Sequence, residues 1–179
     1  GVIALIGGHV IKTGMGPLLV HLLRRGVLTH VAMNGAAAIH DFELAAFGGT
    51  SEDVAAGLQD GTFGMAEETG REMNAAITRG HAEGRGMGEA LARWLDARAA
   101  LPGREQSVLL ATLARGTPAT VHSAIGADII HQHPAADGAA LGDTTHRDFR
   151  RLAATLAHLD GGGVVLNLGS AVIMPEVFL

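Results

Sequence analysis

Apolar residues in this chain fall into short unbroken runs that alternate with longer stretches of helical spacing. The first run covers residues 1–6 and is followed by a Gly-Gly pair, which is typical of a fully buried parallel strand entering a turn. A helix is predicted from Pro17, which suits a first turn, to the basic pair Arg24-Arg25. A second strand follows at residues 28–33. Together these elements predict a βαβ unit with a right-handed crossover.

The rest of the chain is helical in its middle and returns to strands near its end. Ser51 followed by Val54 is typical of a capped helix start. Helical spacing covers residues 41–47, 66–79, 87–100 and 145–159, and strand runs cover 119–122 and 164–168. Because the strands are continuously apolar and separated by helices, they predict an α/β protein with a doubly wound parallel sheet and helices on both faces.

Length and composition favour one compact domain over residues 1–179. Apolar residues make up 47% of the 179 positions, enough to furnish a buried core. The chain opens without Met inside a strand pattern and closes on three apolar residues. Natural termini are usually more polar, so we expect this sequence to be an excerpt of a longer chain.

Charge and cysteine content narrow the function classes. The net charge is −5, Lys12 is the single lysine, Tyr is absent, and basic residues form no stripe with aromatics, which argues against a nucleic-acid partner. The chain has no cysteine, which removes thiol chemistry and fits a reducing compartment. No run of 18 apolar residues occurs, so no membrane partner is expected and a cytoplasmic protein is predicted.

The first strand leads into a glycine-rich segment, residues 7–16, that we expect to be a loop. A Walker motif requires Gly directly before Lys, and Ile11 stands there instead, before Lys12 and Thr13. A dinucleotide site remains open, because glycines let the backbone approach phosphates at the helix that Pro17 begins. The alternative is a turn that only needs positive φ.

A second small-residue loop follows the second strand, from Asn34 to Ile39, and ends at His40 and Asp41. Ligands of open α/β sheets lie outside the carboxyl ends of the strands, so this loop and the first one are expected to line one crevice. For Asp41, a contact with a ligand and an interaction with a helix N-terminus are both open.

Two later segments carry further candidate chemistry. His122, His131 and His133 lie within twelve positions together with Asp128, and two histidines two apart share one face of an extended segment, as in some metal sites. No H-E-x-x-H motif accompanies them, so histidines hydrogen-bonded at a strand end are the alternative. Ser170 follows the last strand at a predicted helix start, where its amides could hold phosphate.

The segments from Gly8 to Gly14, 18–25 and 29–36 resemble the first βαβ unit and glycine-rich loop of deoxyhypusine synthase. The resemblance continues at residues 39–44 and 50–54, and again from 125–130 through 163–172, and it is nearest to divergent bacterial members of that family. It implies a Rossmann-like NAD-binding fold and transfer of an aminobutyl group from spermidine or a related polyamine to a protein lysine. The chemistry in that family passes through oxidation of the amine and an enzyme-linked imine, in a homotetramer.

The resemblance also assigns residues. Asp128 matches an acid that holds the polyamine's ammonium group, and His133, His40 and Asp41 are expected beside the substrate. No metal is expected. The positions expected at the NAD pocket are Gly8, His9, Lys12, Thr13, Asn34, Gly35, Ala36 and Ser170.

This chain departs from the family pattern at several positions. His122-Ser123 replace the first of two carboxylates, His40 stands where the family has an acid, and Pro175-Glu176 occupy the region of its catalytic histidine. No segment here carries the family's catalytic lysine. We expect an NAD-dependent aminobutyl transferase, and the alternatives are a non-catalytic nucleotide-binding module and a His-ligated metal hydrolase.

Overall fold

A computed structural model describes residues 1–50, 54–63 and 66–179. Four strands form one sheet in the order β3-β2-β1-β4, and every neighbouring pair is parallel. The strands are β1 (Val2–Ile6), β2 (His30–Asn34), β3 (Ala119–His122) and β4 (Val164–Leu168). The predicted doubly wound parallel sheet is confirmed, and its four strand runs were placed to within two residues at each end.

Helices connect the strands and lie on both faces of the sheet, but they leave Val164, Leu166 and Leu168 of β4 exposed. The first three are α1 (Gly8–Lys12), α2 (Gly16–Arg24) and α3 (Gly35–Phe47). Four more lie between β2 and β3, namely α4 (Val54–Asp60), α5 (Glu67–Ala82), α6 (Met87–Asp96) and α7 (Val108–Arg115). The last two are α8 (Gly138–Leu156) before β4 and α9 (Ile173–Phe178) after it.

The strand order places a topological switch at the centre of the sheet. The chain runs outward from β1 through β2 to β3 and then returns to the other side of β1 as β4. The direction in which strands are added to the sheet therefore reverses between β1 and β4, and ligands of open α/β sheets bind at the carboxyl ends of strands beside such a switch.

The two faces of the sheet have separate apolar cores. On one face, Ala4, Ile6 and Met33 belong to a large cluster with residues of helices α2, α3 and α5 to α7. On the other, Ile3 and Leu5 pack with residues of α8 and α9. Because successive strand residues alternate between faces, a strand buried on both sides must be apolar throughout, which explains the unbroken run at residues 2–6.

A hydrogen-bonded chain of polar side chains lies on the α8 side of the sheet. His30 joins Thr120 through Nε2 and Thr155 through Nδ1, each at 3.0 Å, and Thr120 also contacts His122 Nε2 at 3.0 Å. Thr155 Oγ1 donates to the carbonyl of Arg151. Burial lowers the pKa of both histidines to about 4, with further lowering at His30 from His122 and Arg151, so the rings are neutral at pH 7.

Several boundaries differ from those predicted. Residues 8–12 form the short helix α1 where a loop was expected, and α3 begins at Gly35 instead of near residue 41. The helix before β4 begins at Gly138, where Asp137 accepts hydrogen bonds from the amides of Ala139 and Ala140. Ser51 lies outside the described residues.

Within the part of the chain that the structure describes, no helix is both long and apolar enough to cross a membrane.

Candidate functional site

The turns after β1 and β4 meet at the carboxyl edge of the sheet. The amide of Gly7 donates to the carbonyl of Leu168 at 2.9 Å, and a Cβ placed on Gly7 would lie 1.9 Å from the carbonyl oxygen of Gly169. The two backbones approach so closely that only glycine fits at position 7. This contact lies at the switch point of the sheet.

The turn after β2 completes the same edge. A Cβ placed on Gly8 would lie 2.9 Å from Ala36 Cβ and 3.3 Å from His40 Cδ2. Residues 7–8, 34–36 and 169–170 therefore form one continuous edge, which we call the crevice. The two glycine-containing loops predicted to share a crevice are neighbours.

Asp128 lies in the segment after β3, so it adds a residue from the third strand's end to the crevice. A Cβ on Gly35 would lie 2.1 Å from Asp128 Oδ2, so the carboxylate rests directly against the first residue of α3. The position is electrostatically suited to an acid, because the N-terminus of a helix carries partial positive charge. The structure thus brings Asp128 beside Gly35 and Ala36.

The carboxylate of Asp128 has few partners for a largely buried group. Ser123 Oγ donates to Oδ2 at 3.2 Å, and His131 Nε2 lies 4.0 Å from the same oxygen, beyond hydrogen-bond distance. Burial raises the pKa of Asp128, and His131, Ser123 and the amide of Ala124 act in the opposite direction. Asp128 therefore keeps acceptor capacity that the described residues do not fill.

His131 faces this carboxylate with a fixed tautomer. Its Nδ1 accepts from the amide of Gly126 at 3.1 Å, so a neutral ring carries its proton on Nε2. That Nε2 is buried and has no hydrogen-bond partner among the described residues. No pattern in the sequence distinguishes His131 from its neighbours, because its contact with Gly126 depends on the turn between them.

Most residues predicted at the NAD pocket lie along the crevice or on α1. His9, Lys12 and Thr13 are exposed on α1 or at its end, and Thr13 Oγ1 donates to the carbonyl of His9. Asn34 lies in the crevice but uses its side chain as the cap of α3, accepting from the amide of Ala37 at 2.9 Å. Gly8, Gly35 and Ala36 contribute only backbone and small surfaces.

Ser170 also lies in the crevice, with its Cα 3.0 Å from the Cβ position of Gly7. Its hydroxyl accepts from the amide of Met174 at 3.1 Å, and α9 begins at Ile173, three residues later than predicted. The side chain is therefore committed to ordering this turn.

His40 belongs to a network that sequence reasoning missed. Its Nδ1 lies 2.6 Å from Thr50 Oγ1, and Thr50 donates to Glu43, which also accepts from Thr69 at 2.9 Å. Burial would raise the pKa of Glu43, but the nearby His40 and hydrogen bonds from Thr50 and Thr69 outweigh it and hold the pKa below its usual range. The spacing of His40 and Glu43, three apart on one helix, is the signal that could have revealed the pair.

Asp41, expected beside the substrate, is buried inside the fold. It lies in the middle of α3 with 1% of its surface exposed, and its carboxylate accepts from Ser107 Oγ and the amides of Val108 and Leu109 at 2.8 to 3.0 Å. The carboxylate thereby caps the start of α7. Asp41 was expected at the start of its own helix, but it lies in the middle of α3 and caps the start of α7 instead.

The histidine cluster does not assemble into one site. Residues 129–132 form a 3₁₀ turn, so the extended segment that would place His131 and His133 on one face is absent there. His133 Nε2 lies 2.6 Å from Glu67 Oε2 beside a pocket of ≈ 190 Å³ that Thr69 also lines, and the His122 ring lies in the interior. Among the described residues, no three His, Asp or Glu side chains are grouped to hold a metal ion.

Comparison with known proteins supports the fold. Searches of protein-family models and of curated proteins gave no match for this chain. Three solved structures share its fold and span 97 to 98% of its residues. All are less than 25% identical to it, so the likeness concerns the fold alone.

The three structures come from different proteins. Arginine dihydrolase ArgZ of the cyanobacterial ornithine-ammonia cycle matches with a TM-score of 0.58 and 20% identity over 22% of its own length. A protein assigned as LOR/SDH from Methanococcus maripaludis S2 matches with a TM-score of 0.52 and 16% identity over 44% of its length. A protein assigned as a deoxyhypusine synthase from Entamoeba histolytica matches with a TM-score of 0.55 and 9% identity over 72% of its length. This chain therefore spans about a fifth of the first of these proteins.

Proposed function

We propose that this chain is the NAD-binding core of an enzyme that acts on a cationic amine, such as spermidine or a related polyamine. The observation that carries the proposal is the position of Asp128. A largely buried carboxylate with unfilled acceptor capacity lies against Gly35, at the crevice where open α/β sheets bind their ligands.

The protein backbone that lines the crevice suits a dinucleotide. Side chains are absent at Gly7, Gly8 and Gly35, where the turns approach one another, and α3 begins at the same edge with its N-terminus toward the crevice. Gly8, Gly35 and Ala36 would hold the cofactor through their backbone, with His9, Lys12 and Thr13 on the exposed side of α1. When bound, NAD supplies a hydride acceptor for the carbon next to an amine nitrogen.

The acid would then orient the amine. An ammonium group has donors in excess and a full positive charge, so it complements a carboxylate whose pKa burial has raised. Binding of such a cation would return the pKa of Asp128 toward its ordinary value. The resemblance to deoxyhypusine synthase implies a polyamine, and arginine, after which ArgZ is named, also carries a cationic nitrogen group.

Calorimetry with NAD and then with spermidine tests both parts. Asp128→Asn should leave the affinity for NAD unchanged and weaken binding of spermidine by about tenfold or more, because a charge-assisted hydrogen bond is lost. Asp160→Asn, an exposed aspartate between α8 and β4, is the matched control and should change neither.

Turnover is measured by mass spectrometry of mixtures of protein, NAD and spermidine, with diaminopropane and oxidised amine as products. Binding of NAD without either product would support the alternative, a non-catalytic nucleotide-binding module. Absence of NAD binding would overturn both.

A further inference from the structure

The hydrogen bonds around Glu43 fix the position of the proton on the His40 ring. Thr50 and Thr69 both donate their hydroxyl protons to the Glu43 carboxylate, Thr69 at 2.9 Å. Because Thr50 Oγ1 has given away its only proton, it accepts from His40 Nδ1–H at 2.6 Å. The neutral ring therefore carries its proton on Nδ1, and Nε2 carries a lone pair. We call these four residues the Glu43 network.

Glu43 supplies the negative charge of this network. Burial alone would raise its pKa, but His40 and the hydroxyls of Thr50 and Thr69 hold the pKa below its usual range. The carboxylate is therefore ionised near neutral pH, and it lies 3.8 Å from His40 Nδ1. A carboxylate behind an imidazole fixes the tautomer of the ring and stabilises the imidazolium that forms when the other nitrogen takes a proton.

The opposite edge of the His40 ring turns toward the crevice. Its Cδ2 atom, which is bonded to Nε2, lies 3.3 Å from the position of a Cβ on Gly8. Ala36 of the crevice precedes His40 by one turn on the same face of α3. Helical side chains lean toward the N-terminus of their helix, which for α3 is the crevice end. The ring edge therefore meets the crevice at two positions that carry at most a methyl group.

The lone pair of His40 Nε2 is available to a ligand. Nε2 has no hydrogen-bond partner among the described residues, and it does not belong to the unpartnered polar atoms that are sealed from solvent. His131 is the contrast, because its unpartnered Nε2 is sealed. Asn34 and Ser170 also lie at the crevice, but their side chains are committed to ordering the backbone.

We infer that His40 is the general base of this site and that its Nε2 accepts the proton that leaves the substrate amine before oxidation. The inference rests on the proposed function, which supplies the amine and NAD. An ammonium nitrogen has no lone pair to stabilise the positive charge that a departing hydride leaves on carbon, so a proton must leave first.

The step balances in protons and electrons. One N–H bond of the ammonium breaks and an N–H bond forms on Nε2, which makes the ring an imidazolium. The neutral amine then loses a hydride from the adjacent carbon to NAD. The amine is oxidised to an iminium ion, and NAD is reduced.

His40 and Asp128 act at different places along α3. Asp128 lies against Gly35, the first residue of the helix, and His40 follows about 7.5 Å farther along the helix axis. A polyamine carries more than one nitrogen. The acid therefore holds one ammonium group while the histidine takes the proton of another.

Turnover of spermidine with NAD, followed by mass spectrometry, tests the base. His40→Ala should lower kcat about 100-fold, as expected for loss of a general base, and leave KM for spermidine within about twofold. Added imidazole should raise the kcat of this variant at least about tenfold, because it occupies the space of the missing ring and takes the proton. His21→Ala removes an exposed histidine of α2 and is the matched control, with an unchanged kcat and no response to imidazole.

Nitrogen-15 nuclear magnetic resonance tests the network without NAD or turnover. The neutral His40 ring should be the Nδ1–H tautomer in the wild-type protein. Thr50→Val removes the acceptor of that proton, so the tautomer should no longer be fixed. The same variant should lower kcat about tenfold, the usual effect of one lost hydrogen bond.

An Nε2–H tautomer of His40 in the wild-type protein would overturn the inference whatever the turnover. A kcat of His40→Ala close to that of the wild type would also overturn it, as would a low kcat that imidazole does not restore. These results leave the proposed function standing, whereas a wild-type protein that oxidises no amine contradicts both. Should His40→Ala fail to fold, as its circular dichroism would show, the wild-type tautomer and Thr50→Val decide.

Discussion

Asp41 is fully buried and Asp128 is largely buried, and burial raises the pKa of each, yet they serve different purposes. Asp41 receives three hydrogen bonds from the start of α7, which leaves it no room for a ligand. Asp128 receives a 3.2 Å bond from Ser123 and rests against the crevice. Unused hydrogen-bonding capacity, more than burial or a raised pKa, therefore marks the acid that is free to act.

The first way to break this comparison is to remove Asp41. Asp41→Ala leaves one hydroxyl and two amides of α7 without acceptors in the interior, so we expect a loss of about 4 kcal/mol in the free energy of unfolding. Asp41→Asn keeps one acceptor oxygen and should lose less. Urea denaturation measures both, and a loss below about 1 kcal/mol for Asp41→Ala would contradict the capping role.

The buried histidine His30 extends the comparison to a group that burial keeps neutral instead of charged. The folded protein holds the pKa of His30 at about 4, below the ordinary 6.5, so between these values the unfolded chain binds more protons. Stability should therefore fall as pH drops from 6.5 to 4, by about 3 kcal/mol for this residue.

The variant His30→Gln should lack the fall in stability between pH 6.5 and 4 that His30 causes. Asp148 contributes with the opposite sign, since its raised pKa of about 7 makes stability fall as pH rises from 4 to 7. The difference between wild type and variant in denaturation midpoints across this range therefore isolates the histidine. Parallel curves for the two proteins would count against the assignment.

The contact of Gly35 with Asp128 offers a sharper test of the crevice. Gly35→Ala would place a methyl group 2.1 Å from the carboxylate, so we expect a loss of about 2 kcal/mol in stability from overpacking. In the double variant with Asp128→Ala the methyl group has room. A double-mutant cycle in urea should show a coupling above about 1 kcal/mol, and additivity would mean that the two residues do not touch.

The smallest effect on stability is expected at Asp128 itself. Asp128→Asn removes a buried charge that has few partners, so the free energy of unfolding should change by less than about 1 kcal/mol, in contrast to Asp41→Ala. The raised pKa of Asp128 makes its contribution to stability fall as pH rises through that pKa, and the variant should lack this decline. Denaturation at two pH values measures both effects.

Much of the fold follows from local sequence. The apolar runs identify the strands, but in β4 the run does not indicate burial on both faces, because Val164, Leu166 and Leu168 are exposed. Pro17 with Gly26 delimits α2 because their backbone preferences act locally. The start of α3 was misplaced because Asn34 caps the helix directly at the end of β2, with no intervening loop. A strand residue that also caps a helix has no distinct pattern in sequence.

The site was less accessible to sequence reasoning. The adjacency of the glycine loops follows from parallel topology, so it could be predicted. The role of Asp41 could not, since its partners Ser107 to Leu109 lie about 66 residues away, with no local pattern linking them. The same holds for Ser123 and His131 around Asp128, whose contacts depend on the path of the chain after β3.

The hydrogen-bonded chain of polar side chains, from His122 to the carbonyl of Arg151, allows only one self-consistent direction of proton donation. Because Thr155 gives its single hydroxyl proton to a carbonyl, it must accept from His30 Nδ1–H, and each preceding group is then fixed in turn. His30 therefore carries its proton on Nδ1 and His122 on Nε2. The two rings that share Thr120 are therefore opposite tautomers. Their nitrogen-15 chemical shifts should show opposite patterns, so nuclear magnetic resonance can test this arrangement inside the sheet.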